Sequence, residues 1–187
     1  MKTTLLPILF TLALAHASFA QTCREVVRDS SGRIVQTIQR HKETGGGERA
    51  VIRDSSGRII GTATTRANYG TSSTARTDYR DASGRLTGTA TTQSHPYSST
   101  SQTTYRDAAS RLTGSASTTH SPYSGSRTQF RDASGRSTGT QTSSGNCYGS
   151  TTTTHRDPSN RVTGTTSTPS ICNGFPLVPV PPIWTKK

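Results

Sequence analysis

The chain has 187 residues, a formal net charge of +12, and only 28% hydrophobic residues. A composition this basic and this poor in apolar side chains excludes a conventional globular core. The sequence therefore describes either a disordered chain or repeated units that gain stability by pairing their backbones along one axis.

Residues 1–20 have the pattern of a secretory signal peptide. Lys2 precedes an apolar run, and Ser18 and Ala20 provide small residues at positions −3 and −1 of the cleavage site. The run is shorter than the roughly 20 apolar residues that span a bilayer. We therefore expect cleavage after Ala20, secretion, and no membrane span in the mature chain.

Six near-copies of one phrase follow the leader. The copy at 79–92 reads YRDASGRLTGTATT, and the arginines that open the copies recur at steps of 25 to 27 residues: Arg28, Arg53, Arg80, Arg106, Arg131 and Arg156. A short, nearly fixed period is typical of repeat architectures. We predict a repeat array over residues 21–169.

Each copy contains the chemistry of a tight turn. An aspartate can accept a hydrogen bond from the backbone two residues on, and glycine accepts a positive φ. The third to sixth copies place these residue types at matching positions, with Ser110 as the one misfit: Asp81, Gly84, Asp107, Ser110, Asp132, Gly135 and Asn160. The pattern predicts six tandem β-hairpins.

The length of the hairpin loop decides which residues share a face. A four-residue loop pairs Arg80 with Arg85 and puts Tyr79 and Leu86 on one face, whereas a three-residue loop pairs Asp81 with Arg85 and separates them. Five of six residues are apolar at the Tyr79 position, and five of six at the Leu86 position. We therefore predict the four-residue loop, because it gathers the apolar side chains.

The predicted fold class is all-β. A single hairpin cannot bury its thin apolar face alone, so we expect six hairpins of about 25 residues in an elongated antiparallel meander or solenoid-like stack. The proline-rich segment 170–187 is expected to cap the last hairpin, with binding of a partner as an extended peptide as the alternative.

The phrase RDASGRLTG resembles the YD-repeat, or Rhs-type, consensus of bacterial and teneurin shell proteins. Asp81, Gly84, Arg85, Leu86 and Thr87 match that consensus, although an arginine separates the tyrosine from the aspartate. The resemblance implies β-hairpin repeats on a secreted bacterial protein in the periplasm, on the cell surface or outside the cell. In outline, the strand–turn–strand alternation is also similar to curli-type fibre subunits.

The sequence offers no catalytic, cofactor or metal site. His155-Arg156-Asp157 has the letters of a kinase catalytic loop but lacks a phosphate-binding loop. The repeated Asp-x-x-Gly lacks the alternating acidic ligands of a calcium loop, and His95 with His120 does not complete a zinc site. We expect a protein that is not an enzyme and binds no cofactor.

Arginine recurs at fixed positions, so stacked hairpins would carry rows of positive charge. Such rows can bind the phosphate or sulfate groups of DNA, lipopolysaccharide or acidic glycans. The candidate residues are Arg80, Arg85, Arg106, Arg111, Arg131 and Arg136. Alternating arginine and aspartate is equally typical of solvated ladders that keep sheet edges soluble.

Three functions are therefore open from the sequence. We expect a structural role, as a surface, matrix or fibre component that self-associates through sheet edges. The alternative is a monomeric protein that binds polyanions. A minor alternative is ice binding, since Thr87, Thr89 and Thr91 form the Thr-x-Thr pattern of ice-binding β-solenoids.

Two of the three cysteines share a position in consecutive repeats. Cys147 and Cys172 each lie 16 residues after the arginine that opens their copy. Secretion provides the oxidising environment in which a disulfide persists. We predict a Cys147–Cys172 disulfide and a Cys23 without a partner in the chain. A bond from Cys23 to either one would instead mean that the ends of the array meet.

Overall fold

The computed structural model describes residues 22–43, 47–68, 73–94, 98–121, 125–145 and 149–169. The predicted signal peptide, the tail from residue 170 onward, His95, Cys147 and Cys172 lie outside the described residues. The twelve described strands are β1 (Thr22–Asp29), β2 (Ile34–Lys42), β3 (Glu48–Asp54), β4 (Ile59–Asn68), β5 (Ser73–Asp81), β6 (Leu86–Ser94), β7 (Thr100–Asp107), β8 (Leu112–Ser121), β9 (Gly125–Asp132), β10 (Ser137–Ser144), β11 (Thr151–Arg156) and β12 (Val162–Thr168).

The strands form a closed barrel in chain order. Each strand pairs antiparallel with its neighbours in the sequence, and β12 pairs with β1. At this seam Val27 lies opposite Thr166, and Asp29 lies opposite Gly164. The prediction of an all-β fold is confirmed. The prediction of an elongated meander or solenoid-like stack is wrong, because the first and last strands meet.

Closure repeats an interface that already exists between successive hairpins. Gly88 of β6 lies opposite Asp107 of β7, which is the relationship that Gly164 has with Asp29. Every hairpin also contains a register shift after its turn. Such bulges bend and twist strands, so the sheet curves. The pattern of one repeat does not reveal how many repeats are needed to close a barrel. The sequence analysis therefore predicted an open array in which the first and last strands do not pair.

The hairpin loop has three residues, not the predicted four. In the third hairpin the amide of Asp81 donates to the carbonyl of Arg85, and the amide of Gly84 donates to the carbonyl of Asp81, each at 3.0 Å. The same two bonds recur in all six turns. Gly84 has a φ of 79°, as expected where a type I turn is followed by a left-handed residue. This geometry also avoids pairing Arg80 with Arg85.

The shorter loop separates the two apolar positions that the sequence placed on one face. Tyr79 points into the barrel and is 2% exposed, whereas Leu86 lies opposite the outward-facing Arg80. The residues equivalent to Leu86 in four other hairpins are 41–46% exposed: Ile34, Ile59, Leu112 and Val162. The predicted shared apolar face is therefore wrong, and these aliphatic side chains form part of the outer surface.

The interior combines a small apolar core with paired hydroxyl groups. Aliphatic and aromatic side chains form two clusters, one around Ile52 and one around Tyr79 and Tyr105. Next to them, hydroxyls on neighbouring strands bond at 2.8–2.9 Å in the pairs Thr65–Thr77, Thr92–Thr103, Thr118–Thr128 and Ser143–Thr153. Buried polar groups need such partners. A closed barrel thus compensates for a composition that lacks large apolar side chains.

The first strand also carries a buried cysteine. Cys23 is 0% exposed and is disulfide-bonded, so the prediction that it has no partner in the chain is wrong. The predicted bond between Cys147 and Cys172 lies outside the described residues.

Candidate polyanion-binding rim

The barrel brings all six hairpin turns to one end. Strands alternate in direction around an up-and-down barrel, so the turns that follow odd-numbered strands lie together. Each turn has one arginine before its aspartate and one after its left-handed residue. We refer to these twelve side chains as the basic rim: Arg28, Arg33, Arg53, Arg58, Arg80, Arg85, Arg106, Arg111, Arg131, Arg136, Arg156 and Arg161.

The aspartate of each turn organises the backbone of its own hairpin. In the first turn, Asp29 Oδ1 accepts from the Ser31 amide at 2.9 Å, the Ser31 hydroxyl at 2.7 Å and the Arg33 amide at 3.0 Å. The hydroxyl bond from Ser31 lowers the pKa of Asp29, and Ser56 has the same effect on the pKa of Asp54. The lowered pKa keeps Asp29 and Asp54 ionised, and both carboxylates accept hydrogen bonds from their own turns.

The first arginine of each pair reaches the tip of its turn. Arg80 Nη1 donates to the carbonyl of Gly84 at 2.9 Å, and the other five hairpins repeat this bond at 2.8–3.0 Å. A guanidinium has five N–H donors, and this bond uses one. Within the described residues, no rim arginine forms an ion pair with a carboxylate.

The second arginine of each pair is exposed. These residues are Arg33, Arg58, Arg85, Arg111, Arg136 and Arg161. Twelve arginines and six aspartates give this end of the barrel a formal net charge of +6. Guanidinium groups with unused donors recognise phosphate and sulfate oxygens, often two at a time. The rim is therefore chemically suited to bind anions.

All six arginines proposed from the sequence lie on the rim. The structure brings Arg80, Arg85, Arg106, Arg111, Arg131 and Arg136 to the same end of the barrel. Sequence reasoning omitted the equivalent arginines of the first, second and sixth hairpins, although their matching position in the repeat could have identified them. It also could not show that the rows gather into a ring, because that depends on closure.

A second charged cluster lies inside the barrel. Arg40 Nε contacts Glu25 Oε1 at 2.9 Å, and Arg40 Nη1 contacts Glu48 Oε1 at 2.5 Å. All three residues are at most 4% exposed. Burial raises the pKa of Glu48, although Arg40 opposes this effect. The sequence analysis missed this cluster, although Glu25 stands where four other repeats have threonine.

One cavity inside the barrel is too small for a ligand larger than water. The cavity lined by Ile38, Arg40, Ile52, Thr77 and Tyr79, among others, has a volume of about 10 Å³. That is about the space of one water molecule.

A hydrogen bond of 2.8 Å joins His155 to Thr166, and burial lowers the pKa of His155. This histidine is a neutral part of the inner wall.

No family model matches this chain. The curated proteins and the solved structures gave no significant match either. Among the described residues, no group of three or more histidine, cysteine or acidic side chains is arranged to hold a metal ion, and no helix is long and apolar enough to cross a membrane. The candidate function therefore depends on the geometry and charge of the barrel itself.

Proposed function

We propose that this chain is a secreted, non-enzymatic protein that binds polyanions through the basic rim. The observation that carries the proposal is that twelve arginines lie at one end of the barrel. Only six aspartates share that end, and each accepts hydrogen bonds from its own turn. Clustered positive charge attracts polyanions and raises their association rate. The ligand class comprises DNA, acidic glycans and anionic lipid assemblies.

The geometry favours a ligand with many anionic groups over a single small anion. Equivalent strands of adjacent hairpins are two strand spacings apart, about 10 Å. Each hairpin tip therefore offers one pair of guanidinium groups, and the ring repeats that pair six times. Each contact alone binds weakly. Once one contact holds a ligand with many anionic groups, the other contacts form at a high effective concentration, and the overall affinity rises.

The self-associating structural role stays a prediction, and no observation favours it. Each of the twelve described strands is paired on both sides, whereas growth through sheet edges needs unpaired strands. Ice binding has no structural support either. Thr89 and Thr91 lie opposite Arg106 and Arg76 on a curved wall, whereas an ice-binding array is flat.

The proposal is tested by comparing two triple variants of equal charge. Arg85, Arg111 and Arg136 are replaced together by glutamine on the rim. The matched control replaces three exposed arginines elsewhere on the barrel wall, Arg49, Arg66 and Arg127. Affinity for a DNA duplex and for heparin is measured by fluorescence anisotropy over a series of salt concentrations.

We expect the unmodified protein to bind both ligands, with an affinity that falls steeply as salt rises. The rim variant should bind more weakly than the control and should lower the slope of log K against log salt by up to about 3 for DNA. Equal losses in the two variants would contradict a rim-based site. Binding that does not depend on salt would remove the polyanion function.

A further inference from the structure

The two sides of the basic rim differ in charge, because each turn aspartate lies on the inner side of the sheet. Asp81 lies opposite Gly61, two residues from the pair formed by Ala63 and the buried Tyr79. Directly opposed residues project from the same face, and side chains alternate along a strand. Asp81 therefore shares the inward face of Tyr79. The pairing of an aspartate with a glycine of the neighbouring hairpin recurs at Asp29, Asp107 and Asp132.

The arginine before each aspartate lies on the opposite, outer side. Arg80 follows the inward Tyr79 in its strand and lies opposite Leu86, and Arg106 lies opposite Thr89 of the preceding hairpin. The guanidinium of each is held at the tip of its turn by the bond to the turn carbonyl. We refer to the six residues at this position as the outer arginines: Arg28, Arg53, Arg80, Arg106, Arg131 and Arg156.

The second arginine of each turn lies close to its own aspartate. The amide of Arg33 donates to Asp29 Oδ1 at 3.0 Å. The Ser31 hydroxyl is the main cause of the lowered pKa of Asp29, and the positive charge of Arg33 lowers that pKa further. The same relationship joins Arg58 to Asp54. The turn carboxylates therefore offset the second arginines and leave the outer arginines without this compensation.

Few acidic residues remain to neutralise the outer wall. Of the ten aspartates and glutamates in the chain, six are in the turns, and Glu25 and Glu48 are buried inside the barrel. The other two are Asp78, which pairs with Arg76 at 3.1 Å, and Glu43, which follows β2 at the other end of the barrel. Within the described turns, the outer side therefore carries a closed row of guanidinium groups with no carboxylate among them.

Resting on the proposed function, we propose that the ligand is a single flexible polyanionic chain that runs around the outside of the turn end and contacts the outer arginines in succession. The row of outer arginines is convex, since each of the six hairpins in the closed barrel is turned by about one sixth of a circle from the one before it. A straight rod placed against this row reaches two or three neighbouring hairpins. A chain that bends reaches all six and forms the largest number of charge-assisted hydrogen bonds.

The size of the ring sets the length of chain that it holds. Neighbouring hairpins are about 10 Å apart, so six of them form a loop of about 60 Å. Sulfated glycans and single-stranded nucleic acids both carry repeated anionic groups on a chain that bends. Duplex DNA is straight over this length, since its persistence length is about 500 Å. A duplex must therefore be deformed, or it leaves several outer arginines without a phosphate.

The test compares stiff and flexible ligands on the unmodified protein. Oligothymidines and heparin oligosaccharides of increasing length are titrated by fluorescence anisotropy, beside duplex DNA of matched length and vesicles that contain phosphatidylglycerol. Salt is varied for the two nucleic acids. For equal numbers of phosphate contacts, a duplex gives the steeper dependence of log K on log salt, about −0.9 per contact against about −0.7 for a single strand.

We expect both flexible ligands to bind, because the contacts are to charged groups alone, and the tighter of the two identifies the source of the chain. Affinity should rise with length until the chain reaches about 60 Å and change little beyond it. Oligothymidine should bind about tenfold more tightly than the duplex and show the steeper salt dependence, because it reaches more arginines.

Two variants of equal charge test the path of the chain on the barrel. The outer variant carries three substitutions at exposed outer arginines: Arg80→Gln, Arg106→Gln and Arg131→Gln. The comparison variant changes the second arginines of the same three turns: Arg85→Gln, Arg111→Gln and Arg136→Gln. Circular dichroism and thermal unfolding confirm that each variant is folded. The outer variant should lose about tenfold more affinity for oligothymidine than the comparison variant.

The outcomes separate this inference from the proposed function. Duplex DNA that binds as tightly as the single strand overturns the flexible chain, and so does tighter binding to the vesicles at an equal concentration of anionic groups. Equal losses in the two folded variants overturn the outer path. If the outer variant does not fold, the ligand series on the unmodified protein decides the matter. Binding to none of the ligands overturns the polyanion function itself, together with the inference that rests on it.

Discussion

Asp29, at the end of the first strand, lies directly opposite Gly164 of the last strand. A Cβ at Gly164 would collide with the carbonyl oxygen of Arg28. Gly88, Gly114 and Gly139 face the same kind of arginine carbonyl between successive hairpins. The seam that closes the barrel is therefore built like the interfaces within it, and each needs a glycine where the backbones approach closely.

Equivalent interfaces should respond alike to the same substitution. Gly164→Val at the seam and Gly88→Val between the third and fourth hairpins should each lower the free energy of unfolding by about 1–3 kcal/mol, because each inserts a side chain against a backbone carbonyl. Urea denaturation followed by circular dichroism measures both. A Gly164→Val protein as stable as the unmodified one, beside a destabilised Gly88→Val, would show that the seam is open.

The left-handed turn position gives a second test of the repeat. Ser110 has a φ of 65° there, and Gly84 has a φ of 79°. A side chain in this conformation costs about 1–2 kcal/mol. We expect Ser110→Gly to raise the free energy of unfolding by about 1 kcal/mol and Gly84→Ser to lower it by a similar amount. Changes of the same sign in the two variants would contradict the turn geometry.

The buried cluster predicts a pH dependence of stability. Because burial raises the pKa of Glu48, the folded protein holds this proton more tightly than the unfolded chain. Protonated Glu48 contributes to the free energy of unfolding. This contribution is fully present below the pKa of the unfolded chain, about 4.3, and is lost as pH rises through the pKa of the folded protein. In the Glu48→Gln variant residue 48 cannot ionise, so this pH-dependent loss of stability is absent. The contact between Arg40 and Glu25 is kept.

The measurement is the difference in unfolding free energy between the Glu48→Gln variant and the unmodified protein at a series of pH values. The difference should move in favour of the variant as pH rises from about 4 to 7, because only the unmodified protein must ionise the buried carboxyl of Glu48. A constant difference, or one that moves in favour of the unmodified protein, would mean that the burial of Glu48 does not control its proton.

The disulfide at Cys23 can be located by peptide mapping. The chain has three cysteines, so the partner of Cys23 within the chain is Cys147 or Cys172. Digestion under non-reducing conditions should release a peptide that contains Cys23 joined to one of these two. A Cys147–Cys172 peptide together with a free Cys23 thiol would support the sequence-based prediction and contradict the bond seen at Cys23.

The sequence predicts the local structure of each hairpin better than it predicts their assembly. The aspartate and glycine of the repeat indicate the turn because their chemistry acts within four residues. The inward position of Tyr79 and the outward position of Leu86 depend on the length of the hairpin loop, and apolar patterning alone favoured the wrong length. Pairing of β1 with β12 depends on the curvature summed over all six hairpins, which cannot be predicted from the sequence of one repeat.

The candidate site shows the same division. The arginine positions recur in the sequence, so six rim residues were predicted from it. The buried contacts of Arg40 with Glu25 and Glu48 were not, because an acidic residue at a threonine position looks like an ordinary substitution until the barrel closes around it. The aliphatic residues that follow the turns, such as Ile59 and Leu112, were expected on the buried face, because large aliphatic side chains are usually buried.

The most direct test of the basic rim is to locate a bound polyanion on the barrel. Isotope-labelled protein is titrated with a short heparin oligosaccharide, and shifts of backbone amides and arginine side chains are followed by NMR. We expect the shifts to concentrate at the turns, at residues such as Gly84 and Arg85, and to vanish at high salt. Shifts centred instead on Arg66 and Arg127, with the turns unchanged, would contradict the account.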